Sequence, residues 1–174
     1  MTDVIPLHRA LLGLVVALGL VWAAPTSAAA AASDGRPPDG RPPEVRESVQ
    51  RAGPASYQKA IVEHTNRRRV AHDRPRLRAD KCVTRAARKQ ARRMAAQERM
   101  FHQNLSAVLR RCDLSRVGEN VAYGYPTGKA AVKAWMRSPG HRRNILDRRF
   151  RLIGAGAAQS DGGVWYAAQV FGRR

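Results

Sequence analysis

Between residues 80 and 96, apolar and small residues recur every three or four positions. Val83, Ala86, Ala87, Gln90, Ala91, Met94 and Ala95 share one helical face, and Arg85, Arg88, Lys89, Arg92 and Arg93 fall on the others. Asp80 is a good N-cap for this helix. Upstream, YQKAIVEHTNRRRVAH sets Tyr57, Ile61, His64 and Thr65 on one face, with Ser56 as the expected N-cap. A third helix begins at Thr127 or Gly128 and carries Val132, Trp135 and Met136. Pro139 then suits the first position of a short helical turn. Past residue 150 the period changes. RLIGAGAA and VWYAAQVF are strand-like runs joined by the Gly-rich turn QSDGG. The second run is apolar on both faces, as a covered central strand would be. Helices first and strands last predict an α+β fold, with helices covering a mainly antiparallel sheet.

The N-terminal pattern is of another kind. A short start ending in His8 and Arg9 precedes the uncharged stretch ALLGLVVALGLVWAA at 10–24, and small residues follow. A basic start, an apolar stretch of about 7–15 residues and a small-residue zone form the secretory signal pattern. Residues 1–32 are therefore expected to be a signal peptide, cleaved after Ala28, Ala30 or Ala32. The run is short for a membrane span of about 20 residues, so no transmembrane segment is expected after cleavage. Residues 33–54 carry a tandem DGRPP repeat and almost no apolar side chains, which predicts an extended spacer. The domain proper is then 55–174, and the expected location is secreted or associated with the cell envelope.

Export changes the reading of the two cysteines. Cys82 and Cys112 can pair outside the cytoplasm, and such a loop would contribute about 3–4 kcal/mol. Two buried free thiols are the alternative. Neither cysteine sits in a CxxC motif. Lys and Arg number 32 against 13 Asp and Glu, a formal charge of +19. The basic residues are dispersed over helices and loops, as on a solvated surface, yet a field this positive attracts anionic polymers. Cell-wall or membrane-surface polymers are candidate partners, a compositional bias toward Arg and Ala that leaves the charge incidental is the alternative, and no motif points to specific nucleic-acid binding. HExxH, GxSxG, P-loop and GxGxxG motifs are all missing from the sequence. What remains are three contexts: His102 in MFHQNLS, Glu119 in VGENVAYG and His141 in WMRSPGHRRNIL.

These contexts, with TNRRR near 65–69, AARKQARRMAAQERMFHQN near 86–104 and YAAQVFG at 166–172, resemble the CAP superfamily of cysteine-rich secretory, venom-allergen and pathogenesis-related proteins, closest to its short bacterial secreted members. The resemblance covers nearly all of 55–174 and implies an α-β-α sandwich with a shallow cleft. It also implies that His102, Glu119 and His141 share that cleft. The further glutamate found in many eukaryotic members falls close to Ser138 and is absent here. Two neutral imidazoles can bind Zn²⁺ or a similar divalent ion weakly, with Glu119 orienting one ring. The expected function is a binding or interaction module whose His-Glu-His cleft takes a divalent metal or a small lipid or peptide ligand. A metal-assisted hydrolase with Glu119 as base is the alternative, and a non-specific anionic-polymer binder comes third.

Overall fold

The computed structural model describes residues 53–174. The expected signal peptide and all of the expected spacer except Gly53 and Pro54 lie outside the described residues. Among the described residues no helix is long and apolar enough to cross a membrane. The elements run α1 (Pro54–Val70), β1 (Arg78–Ala79), α2 (Lys81–Ala96), α3 (Leu105–Arg111), β2 (Arg116–Tyr123), α4 (Gly128–Arg137), α5 (Pro139–Leu146), β3 (Leu152–Gln159) and β4 (Trp165–Arg173).

The strands form one sheet in the order β1-β3-β4-β2. β4 pairs antiparallel with β2 and β3, and the short β1 runs parallel to β3. The sheet is therefore mixed, through one parallel edge pair. β4 is central and covered on both faces, as its doubly apolar sequence predicts. Tyr166, Ala168 and Val170 pack toward α2 and α3 with Val83, Ala87, Met94 and Val108. Ala167 and Phe171 pack the other way, against Tyr57, Ile61, Val132 and Trp135 of α1 and α4. A helical layer on each face of a sheet makes an α-β-α sandwich.

Small residues in β3 set how close α2 can come. A Cβ added at Gly154 would lie 2.4 Å from the backbone nitrogen of Thr84, and one at Gly156 would lie 2.1 Å from the carbonyl oxygen of Ala87. The α2 backbone thus rests directly on the strand. Asp80 caps α2 as expected, accepting from the N–H groups of Cys82 and Val83. Thr127 caps α4 through the N–H of Ala130. The expectation for Ser56 is corrected: α1 starts at Pro54 with Gly53 as its N-cap, and the Ser56 hydroxyl donates back to Gly53 O at 2.8 Å. Proline accounts for the earlier start, because its fixed φ suits the first helical turn. Cys82 and Cys112 form a disulfide joining the start of α2 to the end of α3.

The RRR run also departs from its reading as solvated surface, because Arg69 is fully buried. Its Nε donates to Pro75 O at 2.9 Å, and its Nη1 donates to Ile145 O at 2.7 Å and Asp147 O at 3.0 Å. Those last two carbonyls belong to the end of α5 and the residue after it, so a buried guanidinium holds the helix that carries His141. Burial pushes the Arg69 pKa down to about 10, which leaves it charged at neutral pH.

Candidate functional site

The site lies along β2, an edge strand. Successive residues of a strand point to opposite faces, so Glu119 and Asn120 address different helical layers. Glu119 turns toward the segment between α2 and α3, and its side chain is wholly buried. One carboxylate oxygen accepts from His102 Nδ1 at 2.8 Å and from the backbone N–H of Gln103 at 3.2 Å. The other accepts from Gln103 Nε2 at 2.6 Å. Both oxygens are therefore committed. Because a carboxylate only accepts, the proton sits on Nδ1 of His102, and the neutral ring carries its lone pair at Nε2. More than half of the His102 side chain is exposed.

Asn120 turns the other way. Its Nδ2 donates to His141 O at 3.2 Å and to Gln169 Oε1 at 3.0 Å. Gln169 in turn donates to the Thr65 hydroxyl. Asn144, from α5, donates to Asn120 Oδ1 at 3.0 Å and to Glu119 O at 3.1 Å. Trp135 Nε1 donates to Val121 O at 3.0 Å. The free edge of β2 is thus closed by side chains of α4 and α5, which satisfies carbonyls that an open sheet edge would leave unpaired. The same bonds fix His141 beside the strand. Asn120, Thr65 and Gln169 are all buried, and a buried polar network with its partners in place specifies one arrangement.

His141 is half-buried. Burial lowers its pKa below the ordinary value, and the nearby His102 lowers it further. Both effects favour the neutral ring, whose nitrogen lone pair can bind a ligand. A groove of about 220 Å³ opens beside it, lined by Met100, Tyr123, Tyr125, Trp135 and Ser138 among others. Ser138 joins α4 to α5 and lines this groove. Among the described contacts its hydroxyl reaches neither histidine nor Glu119. Among the described residues, no three or more His, Cys, Asp or Glu side chains are grouped so as to hold a metal ion. His141 lines the groove and His102 lies near it without lining the groove; a cation between them would rely on these two rings, with Glu119 behind His102.

His72 lies away from the site, with Nδ1 donating to Arg68 O at 2.8 Å. His64, on α1, has its pKa lowered by burial and then by Arg67 and Lys129. The sequence reading placed Trp135 on a helix without a part in the site, and gave no part in it to Gln103, Asn120, Asn144 or Gln169. The available signal was a polar residue within an apolar strand run, as in GENVAY and AAQVF, or an Asn one helical turn after a candidate His.

Comparisons with known proteins place the chain. The family model described as the cysteine-rich secretory protein family, CAP, matches residues 62–171. YkwD of Bacillus subtilis (strain 168) is 34% identical over 118 residues, covering 64% of this chain and 46% of YkwD. The chain thus spans less than half the length of that relative. Among solved structures, an extracellular protein containing an SCP domain from Bacillus anthracis str. Ames is 27% identical with a TM-score of 0.61, covering 70% of this chain and 41% of that one. An outer surface protein from Borrelia burgdorferi is 18% identical with a TM-score of 0.62, covering 67% of this chain and 91% of that one, a likeness of fold. With its three-layer fold and the match over 62–171, the chain belongs to the CAP, or cysteine-rich secretory protein, family.

Proposed function

We propose that this protein is a secreted, non-catalytic binding module whose cleft takes a divalent cation or a small ligand at His102 and His141. The observation that carries the reading is the engagement of both Glu119 oxygens by His102 and Gln103. A carboxylate behind an imidazole is the arrangement that orients metal-ligating histidines. It fixes the tautomer that leaves Nε2 free, and the lowered pKa of His141 keeps the second ring neutral. The donor set fits a weakly held ion, since zinc sites ordinarily have three or four protein ligands. A bound divalent ion would supply Lewis acidity to a ligand oxygen. Hydrolysis with Glu119 as base would require that carboxylate to release a hydrogen bond inside a closed pocket, which favours binding over turnover. The extracellular and surface-protein relatives support a place outside the cytoplasm.

Calorimetric titration of the full chain with Zn²⁺ tests this. Saturable one-to-one binding should be lost in both His102→Ala and His141→Ala. Glu119→Gln should retain binding with an affinity about 10–100-fold lower, the usual effect of losing an orienting partner. Absence of saturable binding to the unaltered chain overturns the metal reading. Retention of full affinity by either histidine variant overturns the two-imidazole site.

A further inference from the structure

From the charge distribution on α2 we infer a second binding surface: the outer face of α2 and its junction with α3 docks an extended polymer of repeating phosphodiesters. α2 contains no acidic residue. Its apolar positions lie against the sheet, leaving Lys81, Arg85, Arg88, Lys89, Arg92 and Arg93 exposed. Among the described residues, Arg85, Lys89 and Arg92 have neither a carboxylate nor a hydrogen-bond partner, whereas Arg88 donates to Gln58. Side chains three or four positions apart on a helix stand about 5–6 Å from one another. An extended chain advances about 3.5 Å per three backbone bonds. A three-carbon phosphodiester repeat, with six bonds between phosphorus atoms, therefore places its charges about 7 Å apart. That spacing is the fully extended limit, so a polymer contracted to about 5–6 Å per repeat follows the cation row along α2.

A second observation marks one phosphate position. Between α2 and α3 lies a pit of about 80 Å³, lined by Lys89, Arg93 and Arg111 together with Gln90, Gln103 and Asn104, and no carboxylate lines it. Gln103 already donates to Glu119, so the three cations are the groups that face an anion there. Several cations around a space for one small group suit a phosphodiester, whose two non-bridging oxygens accept along tetrahedral directions, whereas the two oxygens of a carboxylate lie in one plane. Other anionic partners fit less well. Among the described residues, the large apolar side chains that are exposed are Val70, Met100, Tyr123, Tyr125 and Val164, all outside α2, so the helix has nothing to insert into a bilayer. Phe101, the aromatic ring beside this face, already lies between Arg93 and Arg99, at 5.3 and 5.1 Å from its centroid. On the α2 face, nucleic-acid bases would find no open ring on which to stack.

The test is fluorescence titration of the full chain with poly(glycerol phosphate) over a series of salt concentrations. One variant combines Arg85→Glu, Lys89→Glu and Arg92→Glu. A charge-matched control combines Arg67→Glu, Arg142→Glu and Arg148→Glu. The α2 variant should bind at least tenfold more weakly and lower the slope of log affinity against log salt by about 2, given about 0.7 per lost contact on a single strand. The control should bind within threefold of the unaltered chain. Unchanged zinc titration and melting temperature in the α2 variant would show that fold and cleft are intact. Equal weakening in both variants overturns the proposal, because total charge then decides binding. Tighter binding to anionic vesicles or to a single-stranded oligonucleotide at equal phosphate concentration overturns it as well.

Discussion

At the scale of single residues, Glu119 and Asn120 show how one strand serves two layers. Each binds the segment carrying one histidine, and their opposite orientation follows from the pleat alone. The lowered pKa of His141 has a consequence for stability. In the unfolded chain an imidazole titrates near 6.5. In the folded chain burial, and then His102, holds His141 below that value. Between the two values the unfolded state binds the proton and the folded state does not, so stability falls as pH drops through this window. Below the folded pKa both states are protonated and the loss is complete. With metal removed by chelator, the imidazole resonances of His141 should titrate with a midpoint below 6.5. Urea unfolding should show a decline from pH 7 to 5 that is shallower in His141→Gln. A midpoint at or above 6.5 would contradict the burial argument.

At the scale of elements, the sequence predicts helices well where the period is regular. The Asp80 cap and the seven-position face of α2 appear in the structure as read from the pattern. β2 was harder to see because Glu119 and Asn120 interrupt its apolar run, and both residues are buried by side-chain partners distant in sequence. α3 is only 7 residues long, too short to show a period. β1, a two-residue parallel edge strand, carries no alternation at all. Of the site, His102, Glu119 and His141 stood out because of their local context. Gln103, Asn144 and Gln169 did not, since their value lies in contacts that only the folded sheet creates. The α2–β3 contact is equally hidden in an unremarkable GAGA run. An added methyl at Gly156 meets backbone rather than a flexible side chain, so relief requires the helix to move. Gly156→Ala should cost about 1–3 kcal/mol or more, as overpacking does. At Gly163, where nothing lies within 4 Å of an added Cβ, an alanine has no such neighbour to displace and its cost would come only from the positive φ of 78°. Urea denaturation of Gly156→Ala measures this directly, and a loss under 0.5 kcal/mol would show that α2 shifts freely.

At the scale of the whole molecule, two opposing effects meet in the same place. The chain carries a formal charge of +19, and the ion pairs among the described residues are few and mostly exposed at the cation. Self-repulsion of this kind disfavours the compact state and weakens as salt shortens the Debye length from about 10 Å at 0.1 M toward 3 Å at 1 M. The disulfide joins α2 to α3, the two helices whose cations crowd around one pit. Its contribution comes from restricting the unfolded chain over a separation of 30 residues, about 3–4 kcal/mol in the loop-entropy account. That contribution depends on chain length and not on charge. Stability should therefore rise between 0.05 and 0.5 M NaCl in both the unaltered chain and the Cys82→Ala/Cys112→Ala variant. The two curves should run parallel, offset by about 3–4 kcal/mol. Urea, being uncharged, is the denaturant that keeps these effects separable. Curves that converge at high salt would mean that the disulfide acts mainly by holding like charges together in the folded state, and the entropic account would then fail for this protein.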